Sequence, residues 1–259
     1  MNLTIDLNCD MGESYGPYEI GNDAAVAPFI TSANIACGFH ASDPTVMDRT
    51  VRLCRDHGVR VGAHPGFPDR AGFGRRFMDI AEEDLISDLV YQVGALKGFL
   101  DLYGLPLQHV KLHGALYNHL VNQEDLFLKI ARTLDLAFAG PVFLTLATPR
   151  TAALKQNCRR EGIRLALEAF PDRSYTDEGE LLSRKLPGAV FHDPGVIARR
   201  ATDMILKGGV ESAGGRWIEM EIDTLCLHGD NRESIEAASG IYDGCRQANI
   251  RLQPLADFR

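Results

Sequence analysis

The chain has 259 residues, 45% hydrophobic and 24% charged, which is enough for one large globular domain or two small ones. Its formal net charge of -8 argues against a nucleic-acid-binding protein, because such proteins usually carry a basic patch. Six cysteines occur without any C-x-x-C pair, so their spacing fits neither a zinc ribbon nor a compact disulfide framework.

The N-terminus and the apolar runs favour a soluble protein. The start, MNLTIDLNCD, has no basic region followed by an apolar core, so we expect no signal peptide. No apolar run approaches the roughly 18 residues of a membrane span. We therefore expect a reduced, soluble, cytoplasmic protein that binds neither nucleic acid nor membrane.

Strand-like runs alternate with helical patterns along the chain. The first two strands are predicted at 3–9 and 31–37, and the next helix begins at the N-cap Asp43 with Pro44 in its first turn and ends at Gly58. Further strands are predicted at 59–64, 108–113, 141–147, 163–170, 188–192 and 223–230, and further helices near 82–103, 123–137, 148–162, up to about 207, and 231–248.

This alternation predicts an α/β protein with a mostly parallel sheet covered by helices. Seven or eight strand–helix units in a chain of this length favour a TIM-like (β/α) barrel. An open dinucleotide-binding sheet would need G-x-G-x-x-G after its first strand, and DMGESYG lacks that pattern. No linker divides the chain, so we expect a single (β/α) barrel domain over 1–259.

Polar side chains share one face of the first predicted strand. Asp6, Asn8 and Asp10 alternate with Leu7 and Cys9 and therefore point the same way. An exposed edge strand would show the same pattern, but in a barrel this face points inward and needs hydrogen-bond partners or a ligand. We interpret it as the floor of a site, where Asp6 and Asp10 would raise one another's pKa if they were close and buried.

Polar residues also follow the other predicted strands. In a (β/α) barrel the carboxyl ends of all strands gather on one rim, where active sites are built. Four of the eight histidines fall at such ends, which is hard to reconcile with ordinary loop positions. The predicted site draws on Asp10, His40, His64, Lys111, His113, Glu168, Asp172, Arg173, His228 and Asp230.

The segment HPGFPDRAGFGRR (64–76) combines prolines, glycines and aromatic residues with Arg70, Arg75 and Arg76. It is either a solvated surface turn or a lid whose arginines bind a carboxylate or phosphate. The chain contains no H-E-x-x-H motif, no complete calcium-binding loop and no G-x-x-x-x-G-K-[ST] phosphate loop. The common motifs for zinc proteases, EF-hand calcium and nucleotide phosphates are therefore absent from the sequence.

Six segments in order resemble the LamB/YcsF family: DLNCDMGE, SANIACGFHASDP, GAHPGFPDRAGFGRR, HVKLHGALYN, FPDRSY and LCLHGD. The resemblance runs from near Asp6 to near Asp230. It implies a barrel related to carbohydrate deacetylases and glycoside hydrolases. It also implies hydrolysis of 5-oxo-L-proline to L-glutamate with ATP, as a co-substrate with Mg²⁺, and with 5-oxoprolinase subunits B and C as partners. No tightly bound cofactor is expected.

For such a reaction we assign roles within the predicted site. Lys111 with Arg75 or Arg76 would bind anionic groups, and Asp10 and Glu168 would act as base or orienting carboxylates. An acid or base that titrates near neutral pH would come from His40, His64 or His113. Substrate contacts are predicted for Asp6, Asn8, Arg75, Arg76, Asp172, Arg173, His228 and Asp230.

Two alternatives remain open at this stage. Asp10, His40, His64 and His113 could bind a divalent ion in a metal-dependent, deacetylase-like hydrolase, although the histidines are not paired in one short motif. The chain could also be a non-catalytic component that binds 5-oxoproline while the chemistry occurs elsewhere.

Overall fold

The computed structural model describes residues 3–227 and 232–257. The strands in this part of the chain are β1 (Thr4–Met11), β2 (Ser32–Ala36), β3 (Arg60–His64), β4 (Leu107–Lys111), β5 (Val142–Leu146), β6 (Leu165–Ala169), β7 (Gly209–Glu211), β8 (Trp217–Glu219), β9 (Thr224–Leu227) and β10 (Arg251–Leu252). Seven of them, β1 to β6 and β9, pair in that order as parallel neighbours, and β9 returns to β1. The predicted TIM-like (β/α) barrel is confirmed, with seven strands.

Helices connect the barrel strands and pack around them. They are α1 (Asp23–Val26), α2 (Pro44–His57), α3 (Glu82–Leu102), α4 (Gly114–Leu120), α5 (Glu124–Phe138), α6 (Thr151–Arg160), α7 (Pro194–Lys207) and α8 (Arg232–Gln247). Asp43 is the N-cap of α2, as predicted. Its side chain accepts hydrogen bonds from the amides of Thr45 and Val46. None of the described helices combines the length and the apolar character needed to cross a membrane.

The two faces of β1 divide the core. Ile5, Leu7 and Cys9 belong to the large apolar cluster that the strands form with the surrounding helices, whereas Asp6 and Asn8 are fully buried on the other face. The barrel interior is therefore a packed layer of polar side chains, and each of these polar atoms needs a hydrogen-bond partner.

Glycine is required at one position of this interior. A Cβ atom on Gly62 of β3 would lie 2.1 Å from Nε2 of His109 on the neighbouring strand β4. The imidazole of His109 fills the space beside Gly62 and lies 2.6 Å from Oδ1 of Asn34. A small residue on one strand thus accommodates a large polar one on the next.

Three features between and after the barrel strands differ from the prediction. Residues 188–192 form no strand, and Val190 makes only an isolated bridge with Arg173. The antiparallel hairpin β7–β8 was not predicted, nor was the short helix α4, which begins directly after β4 at Gly114. The last predicted strand is described as Thr224–Leu227, and its residues 228–230 lie outside the described residues.

Candidate active site

A cavity of about 650 Å³ opens at the carboxyl ends of the barrel strands, as the strand-end pattern predicted. Asp10 of β1, His64 of β3, Lys111 of β4 and Leu146 of β5 line it from the barrel side. Most of the remaining wall comes from residues after β4 and β6, including Tyr117, Asn118, Phe170, Arg173, Leu182, Arg184 and Lys185, and Glu13 after β1 and Arg75 after β3 complete it.

Lys111 is a buried cation at the barrel end of this cavity. Its Nζ lies 2.9 Å from Oδ1 of Asp10 and 2.9 Å from Oε1 of Glu168. Burial alone would lower the pKa of the ammonium group, but the Asp10 carboxylate beside it helps to hold that pKa well above its usual value. Lys111 therefore stays positively charged at neutral pH.

Glu168 lies behind Lys111 and is fully buried. The hydroxyl group of Tyr117 donates a 2.8 Å hydrogen bond to its Oε2, while Lys111 pairs with Oε1. Sequence reasoning missed Tyr117, although it lies in the segment HVKLHGALYN, one turn of α4 after His113. Glu168 is thus placed to orient Lys111 and to balance its charge.

Asp10 is the carboxylate of β1 that reaches the cavity. Its Oδ1 accepts hydrogen bonds from Lys111 and, at 2.8 Å, from Nδ2 of Asn34 on β2. Its Oδ2 lies 3.4 Å from Nε2 of His64. Because Asp10 presents this ionised carboxylate to the cavity, within reach of a water molecule bound there, it is the candidate general base.

Asp6 and Asn8 lie beneath the cavity and do not line it, which corrects the expectation that they contact substrate. The hydroxyl groups of Thr31, Ser32 and Thr224 donate hydrogen bonds to the Asp6 carboxylate. Oδ1 of Asn8 accepts from Asn34 at 2.7 Å and from Lys111 at 3.4 Å. Both residues support the floor of the cavity from inside the barrel.

The pKa of Asp6 is raised to about 6. Burial is the main cause and the charge of Glu168 adds to it, whereas the hydroxyl donors oppose it. The predicted mutual effect of Asp6 and Asp10 is therefore not what raises this pKa. The shift arises because the carboxylate of Asp6 is removed from water inside the barrel.

Three histidines and Glu13 meet at one side of the cavity. The rings of His40 and His113 are stacked with centroids 3.7 Å apart, and Nδ1 of His113 lies 2.9 Å from Nε2 of His64. Oε1 of Glu13 is 3.9 Å from His40 and 4.0 Å from His113. The structure thus brings together all three predicted histidines and Glu13, a polar residue that follows the first strand.

Burial lowers the pKa of His113 to about 3 and that of His40 well below its usual value, and neighbouring imidazoles contribute to both shifts. These two rings are therefore neutral at pH 7, and the expectation that they titrate near neutral pH is not met. Their ring nitrogens are available as lone-pair donors.

The arginines of segment 64–76 have different surroundings. Arg75 lines the cavity, whereas Arg76 forms an ion pair with Asp69 that holds the loop in shape. The carbonyl groups of Phe73 and Gly74 accept hydrogen bonds from the side chain of His113 and the amide of Ala115. The segment is therefore fixed across the barrel mouth, and Arg75 is its candidate for binding an anion.

Further cations approach the cavity from the segment after β6. Arg173 is 7% exposed and lines the cavity, as do Arg184 and Lys185. Asp172 is not among the lining residues, and the predicted His228 and Asp230 lie outside the described residues. The sequence SRK (183–185) does not by itself predict a role in the site, because nothing in its spacing shows that it folds back onto the strand ends.

Known proteins resemble this chain over its full length. A model of the LamB/YcsF family matches residues 5–259. Proteins named as the A subunit of 5-oxoprolinase, from Pyrococcus furiosus and Natranaerobius thermophilus, are 44% and 45% identical, and the alignments cover 99% and 98% of both chains. A crystal structure described as a lactam utilization protein from Thermus thermophilus matches with a TM-score of 0.89 and 42% identity, and covers 98% of this chain and 100% of that one.

Proposed function

Because the chain belongs to the LamB/YcsF family, we propose that it is the A subunit of a 5-oxoprolinase and opens the ring of 5-oxo-L-proline to give L-glutamate with ATP. The observation that carries the proposal is the 44% identity, over 99% of both chains, to a relative named as the A subunit of 5-oxoprolinase. Since the reaction would consume ATP, we also propose a cytoplasmic location.

The cavity fits a small anionic substrate. At neutral pH 5-oxoproline carries one carboxylate, and the wall offers the guanidinium groups of Arg75 and Arg173 together with the buried ammonium group of Lys111. Guanidinium groups bind carboxylates with two parallel hydrogen bonds. We assign carboxylate binding to the two arginines, which leaves Lys111 at the barrel end for the reacting amide.

The ring is a stabilised amide, so activation must precede attack by water. Transfer of the γ-phosphoryl group of ATP to the amide oxygen releases ADP and, after the nitrogen loses its proton, gives a cyclic imidate phosphate. Water then adds to the ring carbon that bears the phosphorylated oxygen. The C–N bond breaks as the nitrogen takes up protons. The acyl phosphate that results reacts with a second water molecule to give glutamate and inorganic phosphate.

The side chains supply the charges that these steps require. Lys111 would stabilise negative charge on the carbonyl or phosphoryl oxygen, because a fixed cation in a dry site acts strongly on developing charge. Asp10 would accept the proton of the attacking water, and Glu168 would hold Lys111 in position through its 2.9 Å ion pair.

ATP, with Mg²⁺, is proposed to be bound with the help of partner subunits B and C. The sequence lacks the phosphate loop that commonly binds nucleotides, and the relatives carry the name of one member of an assembly. Arg184 and Lys185 also line the cavity, and we assign them to the incoming phosphoryl group.

An omission assay tests the proposal. Glutamate release from 5-oxoproline is measured with the chain, subunits B and C, ATP and Mg²⁺, and then with each component left out. We expect release only from the complete mixture. Release that persists without this chain would overturn the proposal. If the chain nevertheless bound 5-oxoproline, catalysis would be assigned to the partner subunits.

A further inference from the structure

Two buried imidazole nitrogens face each other at the side of the cavity. Nδ1 of His64 lies 2.8 Å from the carbonyl oxygen of Lys111, and Nε2 of His113 lies 2.8 Å from that of Phe73. A carbonyl oxygen only accepts hydrogen bonds, so each ring must use its N–H group there. The two remaining nitrogens, Nε2 of His64 and Nδ1 of His113, are 2.9 Å apart and each presents a lone pair.

This arrangement is unfavourable unless a cation lies between the two nitrogens. Either a proton shared between the two rings or a metal ion would satisfy both lone pairs, and the unpartnered imidazole of His40 beside them favours the metal ion. Rotation of one ring would leave a carbonyl oxygen of Lys111 or Phe73 without its hydrogen-bond donor. A metal ion would use both lone pairs and keep both carbonyl hydrogen bonds.

His40 supplies a second, independent observation. It is 1% exposed, and neither of its ring nitrogens has a hydrogen-bond partner among the described residues. Buried polar atoms in folded proteins are almost always paired, so such a ring needs an explanation. It stacks on His113, with Nε2 3.9 Å from Oε1 of Glu13.

We propose that Glu13, His40, His64 and His113 bind one divalent transition-metal ion, of the zinc type, at the mouth of the barrel. One ligand atom from each of the four lies within 4.8 Å of the others. Three imidazoles and one carboxylate suit zinc and its neighbours rather than Mg²⁺ or Ca²⁺, which prefer oxygen ligands.

Binding requires only local adjustment of the ligands. Zinc–nitrogen bonds are about 2.0–2.1 Å, so Glu13 must move closer, His40 must rotate out of its stack on His113, and Nε2 of His64 and Nδ1 of His113 must separate slightly to hold the ion. His40 has no hydrogen bond to break when it does so, among the described residues.

Two glycines provide the space in which the rings meet. A Cβ atom on Gly74 would lie 2.7 Å from Cδ2 of His113 and 2.8 Å from Cβ of His40, and one on Gly66 would lie 3.1 Å from Nδ1 of His40. The carbonyl groups that receive the N–H bonds of His64 and His113 fix the orientation of both rings. Such supporting hydrogen bonds are typical of histidines that bind metals.

The proposed ion would face the cavity, since Glu13, His64 and His113 also line it. The site goes beyond the proposed ring opening and does not depend on it. It also departs from the expectation that the chain binds no tight cofactor. The sequence alone suggested Asp10 as the carboxylate ligand beside the three histidines. In the structure Glu13 takes that place, and Asp10 pairs with Lys111.

Metal binding by the full chain, without ATP or partners, tests the proposal. Protein stripped with a chelator is titrated calorimetrically with Zn²⁺, and separately with Co²⁺ while visible absorption is recorded. We expect one ion per chain, absorption bands of a four- or five-coordinate Co²⁺ site, and a higher melting temperature with Zn²⁺.

Variants show whether the ion is bound at this site. His113→Asn and Glu13→Gln should each weaken Zn²⁺ binding by about 100-fold or more, because even residues that only support metal ligands change affinity by about 10- to 100-fold. The exposed His57 provides a matched control, and His57→Asn should bind as the wild type does. Glu13→Gln, at the edge of the cavity, remains informative if His113→Asn fails to fold.

A wild-type chain that binds no stoichiometric Zn²⁺ or Co²⁺, or a Glu13→Gln variant with wild-type affinity, would overturn the metal site. Because the readouts are heat, absorption and melting temperature, metal binding together with failure of glutamate release would contradict only the proposed function.

Discussion

Replacement of Lys111 should lower both the activity and the stability of the protein strongly. Its ammonium group lies between the Asp10 and Glu168 carboxylates, and Lys111→Met leaves these two charges without their shared cation. We expect loss of glutamate release and a fall of about 3–5 kcal/mol in the free energy of unfolding, the usual cost of breaking a buried ion pair from one side. Urea denaturation and the reconstituted assay measure the two effects.

A double variant separates charge balance from catalysis. Lys111→Met combined with Glu168→Gln removes one charge of each sign, so much of the lost stability should return while activity stays absent. If activity returned together with stability, Lys111 would be structural only.

The raised pKa of Asp6 predicts that the free energy of unfolding depends on pH. Its pKa is about 6 in the folded chain, against 3.8 for an unperturbed aspartate, so between these values the folded chain holds a proton that the unfolded chain has lost. The contribution of Asp6 to the free energy of unfolding therefore falls as pH rises through this window. The total fall is about 3 kcal/mol.

The Asp6→Asn variant isolates this contribution, because asparagine does not titrate. Urea denaturation of both proteins from pH 4 to pH 7 should show the wild type losing stability relative to the variant, mostly between pH 4 and pH 6. A constant difference between the two proteins over this range would mean that Asp6 keeps an ordinary pKa.

Among the secondary-structure elements, β3 and β4 depend on a glycine. Gly62→Ala would place a Cβ atom 2.1 Å from the His109 ring, so we expect a loss of about 1–3 kcal/mol in the free energy of unfolding. Gly98→Ala is the matched control, since its Cβ atom would meet nothing within 4 Å in helix α3. That variant should be more stable by about 0.4–1 kcal/mol.

Within segment 64–76, Arg75 is expected to contribute to binding of 5-oxoproline. Arg75 lines the cavity, so Arg75→Gln should raise the KM for 5-oxoproline by about tenfold, equivalent to about 1.4 kcal/mol, with a smaller change in kcat. Arg159→Gln, an exposed residue of α6, should change neither parameter. Equal KM values for the wild type and Arg75→Gln would remove Arg75 from the substrate site.

The barrel strands were predictable because each is a short strand-like run, either apolar or alternating, preceded or followed by turn residues. Residues 188–192 carry the same local signal, but GAVFH is an irregular segment that pairs only through an isolated bridge between Val190 and Arg173. The hairpin β7–β8 was missed because its strands have three residues each, too few for an alternating pattern to be recognised. Pairing with a distant strand decides such cases, and one local segment does not contain that information.

At the scale of the whole molecule, closure of the barrel creates the site. Residues as distant in sequence as Asp10, Lys111 and Glu168 meet because their strands end on one rim, and this was predictable from the topology alone. The position of a residue along its strand was not predictable from the sequence. Asp6 and Asp10 share a face of β1, yet only Asp10 reaches the cavity. The pKa values of His40 and His113 likewise depend on burial, which the sequence does not give.

If the ring is opened in the cavity at the barrel mouth, the Asp10 carboxylate is required, and Asp10→Asn tests this most directly. Glutamate release is measured with ATP and subunits B and C for this variant and for Asp79→Asn, which alters an exposed aspartate away from the cavity. We predict a loss of about 100- to 10,000-fold for Asp10→Asn, the usual contribution of a general base, and wild-type release for Asp79→Asn. Wild-type turnover by folded Asp10→Asn would contradict the claim.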